Sequence, residues 1–183
     1  MTILREYTND KHRQVESTEF VKYLLSGEIT KEHYTSFLFE FYHIYFNIER
    51  FAKRAGLLEG LDGIERTQRI KQDLLELDPN YFRGYLPETL DYVQRLVELS
   101  GSEKRKHLLL AHVYVRHMGD LYGGKIIAKL IPGTGNMYMF DDRPALIKAF
   151  NSKLTLELKD EANKAFDHFI LIFEGLWKQI NAK

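Results

Sequence analysis

The segment Arg116-His117-Met118-Gly119-Asp120-Leu121-Tyr122-Gly123-Gly124 places three glycines and one carboxylate within its last six residues. A glycine inside a helix costs about 1 kcal/mol relative to alanine, so three of them predict that something flat lies against bare backbone. Gly119 and Gly123 are four residues apart and share one helix face, while Arg116, Asp120 and Gly124 form a neighbouring row. The alternative is a close helix crossing in which Asp120 pairs with Arg116.

The composition limits the classes of function. The chain has 183 residues, a length typical of one domain, and residues 1–183 are expected to form it. With 26 basic and 26 acidic residues there is no overall field that favours nucleic acid. The absence of cysteine excludes disulfides, iron–sulfur ligation and thiolate or covalent haem attachment within this chain. No apolar run is long enough to span a membrane, so we expect a cytoplasmic monomer without a membrane partner.

Apolar residues recur at helical spacing along most of the chain, and no pair of strands competes with them. The predicted helices cover residues 4–25, 31–55, 64–77, 87–99, 103–131, 145–156 and 159–180. Ser26-Gly27 is expected to end the first, and Thr30 to cap the second. The sequence therefore predicts an all-α, single-domain bundle of about seven to eight helices.

Among seven histidines, His12 has the most suggestive neighbour. Glu16 follows it by one helical turn and can accept a hydrogen bond from the ring nitrogen that does not face a metal. The alternative is an exposed helix pair with little energetic effect. Glu40 and His43 have the spacing of one half of a carboxylate-bridged di-iron site, but no second such motif exists, so we interpret them as incidental.

These features together resemble the haem oxygenase family from Leu4 to about Leu176. The matching residues are Leu4-Arg5-Glu6 with Thr8, His12, Gln14 and Glu16, then Tyr42-His43-Ile44-Tyr45 with Glu49, then Leu109-Leu110-Ala111-His112-Val113-Tyr114 with Arg116, and finally Gly119-Asp120-Leu121 with Gly123-Gly124. The last group, together with His12, is the most specific part. The chain resembles the short, soluble bacterial, algal or cyanobacterial type.

The resemblance implies a haem between the first helix and a glycine-rich distal helix. It assigns the iron ligand to His12, supported by Glu16, and places Gly119, Gly123 and Gly124 close to the haem. It implies that Asp120 holds ordered water and delivers a proton on the distal side. The remaining polar members of that water network would be Tyr45, Tyr114 and Arg116, and Phe166 would also contact the haem.

The chain departs from the family where a propionate-binding arginine often stands. By local alignment, Phe150-Asn151 replaces a Tyr-Arg pair, so Lys148 or Lys153 would have to supply that charge, together with Arg5 at the haem edge. Tyr122 and Val115 replace a small and a hydroxyl-bearing residue of the distal motif.

The resemblance implies a haem-degrading monooxygenase. Haem b would be both substrate and cofactor, dioxygen would be consumed, and the products would be biliverdin IXα, carbon monoxide and ferrous iron. No flavin or nicotinamide motif is found, so electrons would come from an external donor such as ferredoxin or a flavoprotein reductase. One alternative is a non-catalytic haem carrier or sensor on the same fold, and another is a di-iron or small-heterocycle enzyme on a related bundle.

Overall fold

Helices account for all of the regular structure in the computed structural model, which describes residues 2–182. The helices are α1 Arg5–Glu16, α2 Glu19–Leu25, α3 Lys31–Arg54, α4 Thr67–Leu77, α5 Pro87–Ser100, α6 Leu109–Val113, α7 Gly119–Ile127, α8 Arg143–Asn151 and α9 Lys159–Asn181. A π-helical turn, Tyr114–Met118, joins α6 and α7 without a break. Residues 109–127 are therefore one continuous helix, called here the glycine-rich helix. Counted in this way, residues 2–182 form eight helices, which confirms the predicted all-α bundle.

Helix α3 lies at the centre of the bundle. It packs against α4, α5 and α6, and α9 packs against α1, α2, α5 and the glycine-rich helix. Thr30 caps α3 as predicted, because its side chain accepts a hydrogen bond from the His33 backbone N–H. Stacked phenylalanines fill the space between α3 and α9. The ring centres of Phe37 and Phe41 are 4.2 Å apart, and those of Phe41 and Phe169 are 5.9 Å apart. Such contacts hold the two longest helices at a fixed separation.

Several predicted helix boundaries were wrong: α8 ends at Asn151 rather than residue 156, and the glycine-rich helix begins at Leu109 rather than residue 103. The first predicted helix is divided into α1 and α2, because the Ser17 and Thr18 hydroxyls donate to the Gln14 and Val15 carbonyls and Thr18 adopts an extended conformation. The glycine-rich helix ends at Ile127 rather than residue 131, since Lys129 and Leu130 form tighter i to i−3 bonds. Within residues 2–182, no helix is both long enough and apolar enough to cross a membrane.

Candidate haem site

Three polar side chains form a closed cluster between α3 and the glycine-rich helix. Tyr45 donates its hydroxyl hydrogen to Asp120 Oδ2, and Arg116 donates from Nε to the Tyr45 hydroxyl oxygen at 3.0 Å. Arg116 also donates from Nη2 to Asp120 Oδ1 at 3.1 Å. The pairing of Asp120 with Arg116 that the alternative interpretation required is therefore present, and Tyr45 adds a second partner from a position 75 residues earlier.

Burial determines the chemistry of this cluster. Asp120 is 1% exposed, and burial raises its pKa above the ordinary aspartate value, although Arg116 and Tyr45 partly offset the effect. Burial likewise raises the pKa of Tyr45 well above its usual range. Tyr45 therefore remains a hydrogen-bond donor, and Asp120 holds a proton more readily than an exposed aspartate does. An acid of this kind suits proton transfer in a water-poor site.

Aromatic side chains hold Arg116 in place. Its guanidinium carbon lies 4.9 Å from the ring centre of Phe41 and 5.1 Å from that of Phe169. Contacts of this type attract a cation to the face of a ring and stabilise it by about 0.5–2 kcal/mol. The arginine that positions Tyr45 and Asp120 is thus fixed by α3 and α9 as well as by its own helix.

The three glycines of the motif have different surroundings. A Cβ atom added at Gly119 would meet nothing within 4 Å, and one at Gly123 would meet only Ile127, at 4.0 Å. A Cβ at Gly124 would lie 2.8 Å from Tyr138 Cδ1. Gly119 and Gly123 therefore leave bare backbone facing open space, whereas Gly124 is buried and allows close packing on Tyr138. This packing role differs from the haem contact expected of Gly124.

Tyr114 does not join the Asp120 cluster. Its hydroxyl lies 3.2 Å from Thr2 Oγ1 and 3.5 Å from Thr8 Oγ1, so it connects the glycine-rich helix to the N-terminal part of the chain. Thr8 precedes His12 by one turn on the same face of α1. Through Thr8, Tyr114 therefore links the glycine-rich helix to α1 one helical turn before His12.

His12 lies on the surface of α1, with 52% of its side chain exposed. Its Nδ1 is 3.6 Å from Glu16 Oε2, and its ring meets the edge of Phe166 at 6.0 Å between centres. Nε2 has no hydrogen-bond partner within residues 2–182. His12 and Glu16 therefore lie side by side as expected, although 3.6 Å is too long for a hydrogen bond. The contact with Phe166 was not predicted.

The cations predicted for the haem edge have no carboxylate partner among residues 2–182. Arg5, Lys148 and Lys153 form no ion pair within the described part of the chain, and Arg5 and Lys148 are exposed. The Oδ1 atom of Asn151 is buried and has no hydrogen-bond partner in the same residues. Each of the three cations can still pair with an acidic ligand.

The sequence analysis missed a second buried pair beside the cluster. His117 is fully buried, and its Nε2 lies 2.9 Å from Glu49 Oε1. Glu49 follows Tyr45 by four residues on α3, and His117 precedes Asp120 by three on the glycine-rich helix. Helix α3 and the glycine-rich helix are therefore joined by two side-chain pairs, Tyr45 with Asp120 and Glu49 with His117. This helical spacing could have revealed the second pair, because both partners of the first were already identified.

Comparisons with known proteins agree with this geometry. The family model described as Heme oxygenase matches residues 1–175. The chain belongs to the haem oxygenase family. It is 30% identical to heme oxygenase 1 of Nostoc, over 94% of this chain and 84% of that protein, and 31% identical to heme oxygenase 1 of Bos taurus, over 94% and 70%. The structure of heme oxygenase-1 from Synechocystis in complex with heme is similar, with a TM-score of 0.81 at 26% identity over 97% of this chain and 93% of that one.

Membership of the haem oxygenase family supports a haem-degrading activity, and the residues present fit haem. A flat macrocycle requires a helix face without side chains, and Gly119 and Gly123 supply one. His12 offers an accessible imidazole for the iron, and the unpaired cations can meet propionates. By contrast, Glu40 accepts from the Leu86 backbone N–H while His43 stacks on Tyr85, and residues 2–182 contain no group of three or more acidic or histidine side chains able to hold a metal. The di-iron alternative has no support here.

Proposed function

We propose that this chain binds haem b between α1 and the glycine-rich helix and opens it to biliverdin IXα, with release of carbon monoxide and ferrous iron. Ferredoxin or a flavoprotein reductase supplies the electrons, and dioxygen is the co-substrate. The protein acts as a cytoplasmic monomer. His12 is the only protein ligand to the iron, and Glu16 orients its imidazole.

One observation carries this proposal. A carboxylic acid that is 1% exposed lies in the same turn of helix as Gly119, where an added Cβ would meet nothing. A helix that only packs against another would have a neighbour at Gly119, as it has at Gly124. Asp120 and Gly119 together place a buried acid one residue away from helix backbone that faces open space.

The protein residues bind and orient haem and control protons. Bound haem would supply the iron that activates dioxygen and the macrocycle that is cleaved. Arg116 and Tyr45 hold the Asp120 carboxylate, with Arg116 on Oδ1 and Tyr45 on Oδ2. Each carboxylate oxygen can accept a further hydrogen bond, so the Asp120 carboxylate can also hold an ordered water. Once protonated, Asp120 can return that proton to the water. Tyr45 stays protonated and does not compete as a base.

The test is conversion of haemin by the purified chain. Haemin is added first, and the visible spectrum is followed for formation of a haem complex. Ferredoxin, its reductase and a source of reducing equivalents are then added, and the pigment is extracted and separated by chromatography. We expect loss of the haem spectrum and one biliverdin isomer. A stable haem complex that yields no bile pigment with any donor would contradict the proposal and favour a haem carrier.

A further inference from the structure

The glycine-rich helix carries two fully buried histidines that each pair with a glutamate. His112 Nε2 lies 3.1 Å from Glu161 Oε1, and its Nδ1 lies 2.7 Å from the Tyr92 hydroxyl. His117 Nε2 lies 2.9 Å from Glu49 Oε1, but its Nδ1 has no partner within residues 2–182. The two pairs are built alike, and only the one beside Asp120 is incomplete.

The surroundings of Glu49 determine which nitrogen of His117 carries the hydrogen. Glu49 also accepts from the Arg66 backbone N–H at 2.5 Å, from the Thr67 backbone N–H at 3.1 Å and from the Thr67 hydroxyl. Burial would raise the pKa of Glu49, but the hydrogen bonds from His117, Arg66 and Thr67 lower it overall, so the carboxylate is ionised and acts only as an acceptor. His117 must therefore donate from Nε2, and in the neutral ring Nδ1 presents a lone pair.

A buried lone pair without a donor is costly. Leaving such a group unsatisfied costs about 1–3 kcal/mol, and native proteins usually satisfy it with protein or water. The ring that carries this nitrogen packs on Tyr45 at 4.9 Å between centres, and Tyr45 donates to Asp120. The histidine is thus a direct neighbour of the polar cluster, and an ordered buried water needs two or more polar partners of this kind.

We propose that His117 Nδ1 accepts a hydrogen bond from a buried water that also contacts the Tyr45, Arg116 and Asp120 cluster, which makes His117 a positioning residue for Asp120. The role of His117 in turnover rests on the proposed function, whereas the presence of the buried water does not depend on it. With Nε2 donating to Glu49, the Nδ1 of a neutral ring can only accept. The water must then direct one hydrogen to His117, which leaves its other hydrogen and its oxygen lone pairs for the Asp120 cluster.

The first experiment uses the protein without haem. Histidine is labelled with ¹⁵N, and NMR determines the tautomer of His117 and the hydrogen bonding of Nδ1. Nuclear Overhauser contacts from the ring to water detect the bound molecule. We expect an Nε2–H tautomer, an Nδ1 shift typical of a hydrogen-bond acceptor, and a long-lived water. A protonated Nδ1, or an Nδ1 chemical shift typical of a ring nitrogen that accepts no hydrogen bond, would overturn the proposal without any variant.

The second experiment separates positioning from simple structural support. His117→Gln keeps an N–H group that can reach Glu49 and removes the acceptor at Nδ1, and His112→Gln is the matched control. We expect His117→Gln to retain most of the melting temperature, to lose the water, and to shift the titration of the ¹³C-labelled Asp120 carboxyl. His112→Gln should leave that titration unchanged. An Asp120 titration that is the same in His117→Gln and wild type would show that His117 only joins two helices.

Turnover distinguishes failure of this inference from failure of the proposed function. With haemin and electron donor, His117→Gln should bind haem like the wild type while its turnover falls about tenfold. If wild type makes no bile pigment, the proposed function fails, although the spectra without haem still decide the question of the water. If wild type and His117→Gln turn over equally, His117 does not position Asp120 for catalysis.

Discussion

Among single residues, Asp120 should control the fate of bound haem rather than its affinity. Asp120→Asn keeps the size of the side chain and an acceptor for Arg116 but removes the ionisable proton, so we expect normal haem binding and a turnover lower by about 100-fold. Spectroscopic haem titration and biliverdin yield measure the two effects. If Asp120 only paired with Arg116, the variant would melt at a lower temperature and still give full biliverdin per bound haem.

His12 is the second residue with a sharp expectation. His12→Ala removes the only proposed protein ligand to the iron, so turnover should be lost, and added imidazole should restore part of it by entering the vacated space. His107→Ala is the control, because it removes another exposed histidine. The ferric absorption spectrum and biliverdin formation are measured for both. An unchanged spectrum with full activity in His12→Ala would assign the ligand to a different residue.

At the scale of the helix, Gly119 and Gly124 should respond in opposite directions to the same substitution. Gly119→Ala adds a methyl group to open space and gains helix propensity, so it should stabilise the protein without haem by up to about 1 kcal/mol and weaken haem binding. Gly124→Ala places its Cβ against Tyr138 and should destabilise the fold by about 1–3 kcal/mol. Chemical denaturation and haem titration measure both variants. Equal stability changes would mean that the two glycines have the same surroundings.

At the scale of the whole molecule, Glu161 joins three helices and should govern acid stability. It accepts from Arg95 on α5 and lies beside His112 on the glycine-rich helix. Burial would raise its pKa, but His112 and Arg95 lower it to about 2 from an ordinary 4.5. Since the folded pKa is depressed, this stabilisation is complete above about pH 4.5 and is lost as the pH falls toward 2.

Glu161→Gln should therefore lower the free energy of unfolding at pH 7 by about 1.5–3 kcal/mol, the usual contribution of a charge-assisted hydrogen bond. The difference in unfolding free energy between variant and wild type should be smaller at pH 3 than at pH 7. Glu174→Gln, an exposed change on the same helix, is the control. Denaturant unfolding at both pH values provides the measurement. An equal difference in unfolding free energy at both pH values would show that the charge of Glu161 does not cause the stabilisation.

The helical class, the capping of α3 by Thr30 and the spacing of Arg116, Asp120 and the glycines could all be predicted from the sequence. These features depend on local periodicity and on side chains that contact their own turn of helix. The matched motifs also placed Tyr45 in one polar network with Asp120 and named Glu16 as the support of His12, but the contact between His12 and Phe166 was not predicted. The division of α1 from α2 was missed, because serine and threonine hydroxyls compete with a helix only where the chain is free to turn.

Only the tertiary structure decided which distant groups meet. Gly124 faces Tyr138, Tyr114 binds Thr2 and Thr8 rather than Asp120, and His117 pairs with Glu49 while its second nitrogen stays buried. One residue along a helix changes the direction of a side chain by about 100°, so neighbours in one motif can point to different elements. The sequence alone determined which chemical groups this helix carries. Which of them are buried, paired or left facing open space was decided by packing between helices far apart in the chain.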